Sequence, residues 1–386
     1  MKGRLRVGLL WHAFGHANLG VDALARANAA LIRDAGRLAG LQVSFVTLGT
    51  VGDPGTRLPP DVKAGPHPSI KQAVVGRSAL LAEIRACDIV FDIGGGDGFT
   101  DLYGWRRFAF QVATKTAVLS AGVPLVLSPQ TIGPFAAPHH RAIAAWILRR
   151  ATAVQVRDGL SAEFAASLGA NPVEFTDVAF ALPFEQAAKA QPRRVAINVS
   201  GLLWNGAIRT QLDYRGLMTA LLDEVAGYEP WFVAHVNGVQ GNDTDQVVAD
   251  DLALRYKQAR RAPTFRDAEA AKSFLSGMDL VIAARMHATI AAFSAGVPVV
   301  PIAYSRKVNG LFQSLDYPHF VDGQSDDAAT ALATIRAALR RPDILIERMA
   351  PGRELARRRL DAYREEVARL LAGVAARRQG RAYEAA

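Results

Sequence analysis

A single cysteine, Cys87, occurs in the 386 residues. One thiol excludes an internal disulfide and a cysteine-built zinc site, and it fits a reducing compartment. No apolar run of membrane-spanning length is free of charge, glycine and proline. The longest candidate, 279–303, contains Arg285 and His287 and reads as strand–helix–strand. The opening MKGRLRVGLLWHAFG lacks an apolar core followed by a small-residue cleavage site, so it is expected to form the first strand. A cytoplasmic location follows as the expectation. Helix-turn-helix, zinc-finger and RNA-binding signatures are also missing, and the basic residues do not interleave with aromatics, so no nucleic-acid partner is expected.

What remains is a globular composition, with 50% hydrophobic and 21% charged residues, and a net charge of +9 that favours anionic partners. Much of the positive excess lies late in the chain, at Arg336, Arg340, Arg341, Arg357, Arg358, Arg359, Arg377 and Arg378. A solvated helix face is one account of that run. The other is a patch for acidic lipid head groups, giving peripheral contact at the inner face of a membrane.

Short Val/Ile/Leu runs alternate with amphipathic stretches nearly throughout. Strands are predicted at 4–10, 42–48, 88–93, 124–128 and 153–156, then at 194–199, 231–235, 280–283 and 297–303. Helices are predicted at 19–37, 137–150, 214–225, 267–276 and 326–339, among others. Continuous apolar strands separated by helices imply parallel sheets covered on both faces. The polar stretch 183–194, bracketed by prolines, is the best linker. The predicted architecture is α/β: two Rossmann-like domains, 1–185 and 186–342, facing a central cleft, with a helical segment 343–386 crossing back to the first. Ser120-Ala121-Gly122-Val123-Pro124 is echoed by Ser294-Ala295-Gly296-Val297-Pro298, through duplication or through shared turn chemistry.

Residues able to carry chemistry cluster at predicted strand ends, where ligands of such sheets bind. Arg285-Met286-His287 stands where an apolar strand hands over to an apolar helix ending near Ala295. A guanidinium, an imidazole and the free N–H groups of a helix start together make an anion site; the alternative is a capping arginine beside a structural histidine. Gly94-Gly95-Gly96-Asp97-Gly98 follows another strand and permits close approach of a ligand or of backbone, but it does not match G-x-G-x-x-G. Gln130 and Thr131 precede the Gly133-Pro134 turn and could bond a hydroxylated substrate. Arg157 is a second strand-end guanidinium, with Asp158 as a helix cap or as its ion-pair partner. Asn18 opens the first helix, near His12, His16 and Asp22, which lack the spacing of a metal site; no metal is expected. His139 and His140 read as a polar helix start, and His235 closes a strand. Loops 202–209 and 236–245 are candidates for contact with a glycan, and Trp204 is either a stacking surface or core.

These segments, in this order, resemble the polysaccharide pyruvyl transferase family. The matching stretches are 18–22, the glycines at 94–96, SPQTIGPF at 128–135, VRDGLSAEFAASLG at 156–169, TDVAF at 176–180 and DLVIAARMHATIAAFSAGVPVVPIAYSRKVNG at 279–310. Two departures stand out. Val21 is inserted before Asp22 in the usual Asn-x-Gly-Asp, which puts a direct role for Asp22 in doubt. Met286 replaces the commoner Leu, a swap that conserves volume. The resemblance implies a GT-B-like fold and transfer of a pyruvyl group from phosphoenolpyruvate to a sugar, forming a ketal and releasing phosphate, with no cofactor. It implies a glycan acceptor, lipid-linked or free. Arg285 and Arg157, with Lys307 as a third cation, would grip the donor, and His287 would act as general acid/base. Gly95, Gly96, Gln130, Thr131, Asn18, Tyr304 and His235 complete the expected substrate contacts. A nucleotide-sugar glycosyltransferase and a non-catalytic glycan or anion binder are the competing readings.

Overall fold

The computed structural model describes residues 3–49, 58–66, 78–238, 243–304 and 306–384; the side chains of 306, 307, 309 and 381–384 lie outside that description. The chain divides into two units. One comprises Met1–Gly15, Leu24–Ala181 and Arg358–Ala386; the other comprises His16–Ala23 and Leu182–Arg357.

The first unit is built on β1 (Arg4–Leu10), β2 (Gln42–Leu48), β3 (Val62–Lys63), β4 (Ile89–Asp92), β5 (Leu125–Gln130), β6 (Ala153–Val156) and β7 (Pro172–Glu174). They form a parallel sheet in the order β3-β2-β1-β4-β5-β6-β7. Every residue of β4 and β5 is buried, as expected of strands covered on both faces. Pro129 has no N–H to give the ladder, and the pairing of β5 with β6 skips from Leu127 to Gln130 at that point. Beyond Arg358 the final helix, Pro342–Glu384, belongs to this unit. Its Tyr363 is fully buried and donates to Asn28 Oδ1 at 2.7 Å. Asn28 Nδ2 bonds Ser128 Oγ and His12 Nε2, each at 2.9 Å, while His12 Nδ1 bonds the Leu10 carbonyl at 3.0 Å. Burial pushes the His12 imidazole down to about 4, so this interior network is neutral.

The second unit is built on β8 (Arg194–Asn198), β9 (Glu229–Val233), β10 (Arg260–Arg261), β11 (Leu280–Ala283), β12 (Val299–Ala303) and β13 (Val321–Asp322), again parallel, in the order β10-β9-β8-β11-β12-β13. With β8 in the place of β1, this is the strand order of the first sheet without its last strand, the Rossmann arrangement. The two Ser-Ala-Gly-Val-Pro segments occupy the same turn in both units. Each lies after the helix that follows β4 or β11 and before β5 or β12. Gly122 and Gly296 close those helices at φ 70° and 78°, and Val123 and Val297 donate back to Val118 and Ala292 at 3.3 and 3.0 Å. Only glycine holds that left-handed position without strain.

The stretch at 183–194 carries no helix and is tied to the helix Ala268–Ser276. Glu185 and Ala187 donate their N–H groups to Ser273 Oγ and Ser276 Oγ at 3.0 and 2.9 Å. Among the described residues, five of the eight late arginines have carboxylate partners: Arg336 with Glu224, Arg341 with Asp343, Arg357 with Glu354, Arg359 with Glu174 and Arg378 with Asp88. Among the described residues no helix is long and apolar enough to cross a membrane.

Candidate functional site

In the second unit the strand-to-helix step at 285–287 is built from buried polar groups. Arg285 is the residue before the helix Met286–Ala295, and its N–H donates to Asn198 Oδ1 at 2.9 Å, which locks the end of β11 to the end of β8. Its Nε lies 3.1 Å from both carboxylate oxygens of Asp245, its Nη2 lies 2.5 Å from Asp245 Oδ1, and Nη2 also bonds Asp243. Asp245 is fully buried and accepts the N–H groups of Gly201, His235 and Val236 at 2.9, 3.2 and 3.0 Å. Arg285 itself is 8% exposed. Its charge is held far beyond the ordinary arginine range, with Asp245 overcoming the cost of burial. Tyr304, just past β12, is half-buried; burial raises its phenol against the opposing pull of Arg285, to which it hydrogen-bonds.

His287 occupies the first turn of the helix and is half-buried. A Cβ placed on Gly20 would lie 2.3 Å from its Nδ1, so the imidazole rests directly on the glycine backbone. That glycine is held in turn. Asn18 Oδ1 accepts the Gly20 N–H at 3.0 Å, Asn18 pairs with Val236 in an antiparallel bridge, and Leu19 donates to the His235 carbonyl at 3.0 Å. His16 Nδ1 accepts the Asn18 N–H at 3.0 Å, and Asp22 accepts the N–H of Ala268 at 2.8 Å. Beside Arg285 and His287 stands His235, 3% exposed, with neither ring nitrogen partnered among the described residues. Burial, with His287 and Arg285 adding to it, pushes its imidazole down to about 3, so His235 is neutral. The backbone of Lys307 lies in the helix Arg306–Ser314; its side chain is outside the described residues, as are 239–242 of the loop 236–245.

In the first unit the strand ends carry a second set. Gly94, Gly95, Gly96 and Gly98 all have positive φ, from 63° to 91°. Side chains there would collide with neighbours: a Cβ on Gly94 meets Gln130 Oε1 at 2.3 Å, and one on Gly98 meets the Thr131 carbonyl oxygen at 2.2 Å. Gln111 Nε2 donates to the carbonyls of Gly94 and Gly98 at 3.3 and 2.9 Å, and Arg107 donates to that of Gly95 at 3.0 Å. Behind the loop the fully buried Lys115 meets Asp92 Oδ2 at 3.0 Å and lies 4.5 Å from the Phe99 ring centre. Gln130 Nε2 donates to the Asp92 carbonyl at 2.8 Å, while Gln130 Oε1 and Thr131 Oγ1 are buried without a partner among the described residues. Arg157, 6% exposed, donates Nη1 to Asp177 Oδ2 at 2.9 Å, and its buried Nη2 is likewise unpartnered there. Asp158 lies 3.8 Å from Arg157 Nε and caps the helix Gly159–Ser167.

Other candidates are engaged locally. His140 Nδ1 lies 2.7 Å from Asp101, the His139 and His140 rings are 4.4 Å apart, and Arg215 covers the Trp204 ring at 5.2 Å. Sequence reasoning did not single out Asn198, and it reached Gly20 and Asp245 only inside the stretches 18–22 and 236–245, since nothing in their own neighbourhoods announces a partner far along the chain. Lys115 did leave a signal: it falls on the buried stripe Phe108, Gln111, Lys115, Val118 of the helix Trp105–Ser120.

The fold recurs in solved structures. A UDP-N-acetylglucosamine 2-epimerase superposes with a TM-score of 0.57 at 11% identity, over 95% of this chain and 96% of that one. The UDP-GlcNAc 2-epimerase of Neisseria meningitidis gives 0.55 at 10%, over 93% and 99%. The spinosyn forosaminyltransferase SpnP gives 0.51 at 13%, over 97% and 100%. At these identities the likeness is one of fold, GT-B-like with two parallel-sheet α/β domains. In sequence, the amylovoran biosynthesis protein AmsJ of Erwinia amylovora is 24% identical over 284 residues, 67% of this chain and 66% of its own length. The family model for polysaccharide pyruvyl transferase matches residues 18–306, which contain both sets of strand-end residues. The chain belongs to the polysaccharide pyruvyl transferase family.

Proposed function

We propose that this chain transfers the pyruvyl group of phosphoenolpyruvate to a sugar of a polysaccharide or lipid-linked glycan. One sugar hydroxyl adds to the enol carbon C2 as a proton reaches C3. A second hydroxyl then displaces phosphate from C2, and the cyclic ketal closes. The observation that carries this reading is the group at the head of the helix Met286–Ala295. There a half-buried His287 is fixed against Gly20, beside a buried His235 whose ring nitrogens are unpartnered among the described residues.

His287 is the proton carrier in this proposal, delivering to C3 or relaying from the attacking hydroxyl. Such a positioned group is worth on the order of a hundredfold to ten-thousandfold in rate. His235 stays neutral and offers a hydrogen bond without charge, the helix N–H groups face the anion, and Asn18 and Tyr304 frame the site. Arg285 acts first through position: clamped by Asp245, it sets where the helix and His287 begin. Arg157 Nη2, with Lys307, would supply the direct cationic contacts that phosphate and carboxylate require. Gly95, Gly96, Gln130 and Thr131 would contact the acceptor. No cofactor enters the scheme, and a cytoplasmic setting would supply the donor.

The test is incubation with phosphoenolpyruvate and a panel of glycans, reading inorganic phosphate and the mass of the sugar product. Stoichiometric phosphate and ketal are expected; release of a nucleoside diphosphate from a nucleotide sugar would favour glycosyl transfer instead. His287→Ala is expected to cut turnover by about a hundredfold or more while weakening phosphoenolpyruvate binding less than Arg285→Ala does. Equal phosphate release by His287→Ala and the unsubstituted chain would contradict the assignment.

A further inference from the structure

The glycine loop of the first unit runs on into a segment, 100–105, that combines firm anchorage with exposed apolar bulk. Thr100 Oγ1 donates to the Pro134 carbonyl at 2.7 Å. The Asp101 carboxylate accepts the Ala136 N–H at 2.9 Å and bonds His140 Nδ1 at 2.7 Å, and Gly104 donates to the Asp101 carbonyl at 3.2 Å. Yet Leu102 is 58% exposed, Tyr103 48% and Trp105 68%. Isolated exposed apolar residues need no explanation, but three within four positions on a tethered segment do.

The surroundings say what would cover them. Tyr103 hydrogen-bonds Asp97, Arg107 pairs with Asp97 at 3.1 Å, and the Arg106 guanidinium lies 5.8 Å from the Trp105 ring centre. Against the same glycine loop lie Gln130, 2% exposed, with Oε1 unpartnered, and the buried Thr131 Oγ1, also unpartnered among the described residues. Flat aromatic faces beside polar groups that both accept and donate suit a ligand with C–H faces and hydroxyl edges. A pyranose is such a ligand. An acidic lipid surface would seek open cations, whereas Arg107 here pairs with Asp97 and donates to the Gly95 carbonyl. We infer that Tyr103 and Trp105, with Gln130 and Thr131, form a saccharide subsite in the first unit, which holds sugar units of the acceptor chain other than the one that reacts. The role as acceptor site rests on the pyruvyl-transfer reading; the binding of saccharide does not.

The experiment is calorimetric titration, without phosphoenolpyruvate, of gluco-, galacto- and manno-configured oligosaccharides of increasing length. At least one series is expected to bind more tightly as the chain lengthens. Trp105→Ala and Tyr103→Ala are expected to weaken the longer members by about five- to tenfold, while Leu254→Ala, an exposed apolar change in the second unit, leaves them unchanged. With a glycan that serves as acceptor, the two aromatic variants raise its KM and leave kcat and the phosphoenolpyruvate KM alone. Failure of every oligosaccharide to bind the unsubstituted chain would overturn the inference, as would equal binding by the variants. So would loss, in Trp105→Ala, of phosphatidylglycerol vesicle binding or of self-association in place of saccharide binding. Because titration needs no turnover, saccharide binding without pyruvyl transfer would sink the reaction and keep the subsite; transfer unaffected by the variants would do the reverse.

Discussion

Arg157 and Arg285 each follow a buried strand in their own unit, and each is more than nine-tenths buried, but their partners differ. Arg285 meets the Asp245 carboxylate through Nε and Nη2, and Asp243 joins at Nη2. Arg157 has one close carboxylate, Asp177, on Nη1, and a buried Nη2 with no partner among the described residues. A buried donor left open costs stability unless something arrives to accept from it. The contrast therefore separates two arginines that the sequence makes look alike: Arg285 fixes a strand-to-helix step, whereas Arg157 has an open donor edge among the described residues, which the proposed function assigns to an anionic group of the donor.

The largest effect should come from removing Asp245. Asp245→Ala leaves the Arg285 charge buried and strips three backbone N–H groups of their acceptor. A loss of about 3–5 kcal/mol in denaturant unfolding is expected. Asp177→Ala should cost less, because among the described hydrogen bonds Asp177 accepts one backbone N–H, from Ala179, where Asp245 accepts three. Equal losses would erase the distinction. Gly20→Ala is the next in size: a Cβ 2.3 Å from His287 Nδ1 must displace the ring. Turnover is expected to fall about tenfold or more, since a small misplacement of a reacting group is costly, with phosphoenolpyruvate binding retained; steady-state kinetics beside titration would check it.

The smallest effect is on the acid limb of stability. His235 and His12 are lowered from 6.5 to about 3 and about 4. Their neutral forms belong to the folded state, so their contribution is complete above pH 6.5. It is lost as pH falls toward 4 or below, where the unfolded chain binds the extra protons. His235→Gln should flatten that limb in urea titrations at pH 4 to 7. An unchanged limb would mean that His235 is not held neutral.

The two-sheet α/β fold was legible because its central strands are continuous apolar runs. LVIA at β11 and the apolar part of LVLSPQ at β5 admit few other readings. Strands β3, β10 and β13 have only two residues each and β7 three, too few to form a pattern, and they escaped the sequence. The cations were visible as strand-end arginines. Their partners were not: the bonds from Arg285 to Asp245 and to Asn198 close loops of 40 and 87 residues, and only the fold brings those groups together. His287 could be named from its motif, but its seat on Gly20 joins residues far apart in the sequence. A sheet's edges and a site's supports are set by tertiary packing, which local pattern does not encode.

The most direct test of the division between the two arginines is calorimetric titration of phosphoenolpyruvate into the unsubstituted chain and into Arg157→Gln, with the unfolding midpoint of each recorded. The unsubstituted chain is expected to bind, and Arg157→Gln is expected to lose about tenfold or more in affinity, the usual worth of a charged hydrogen bond, with its midpoint moved far less than that of Arg285→Gln. Absence of binding by the unsubstituted chain, or equal affinity in Arg157→Gln, would contradict the account.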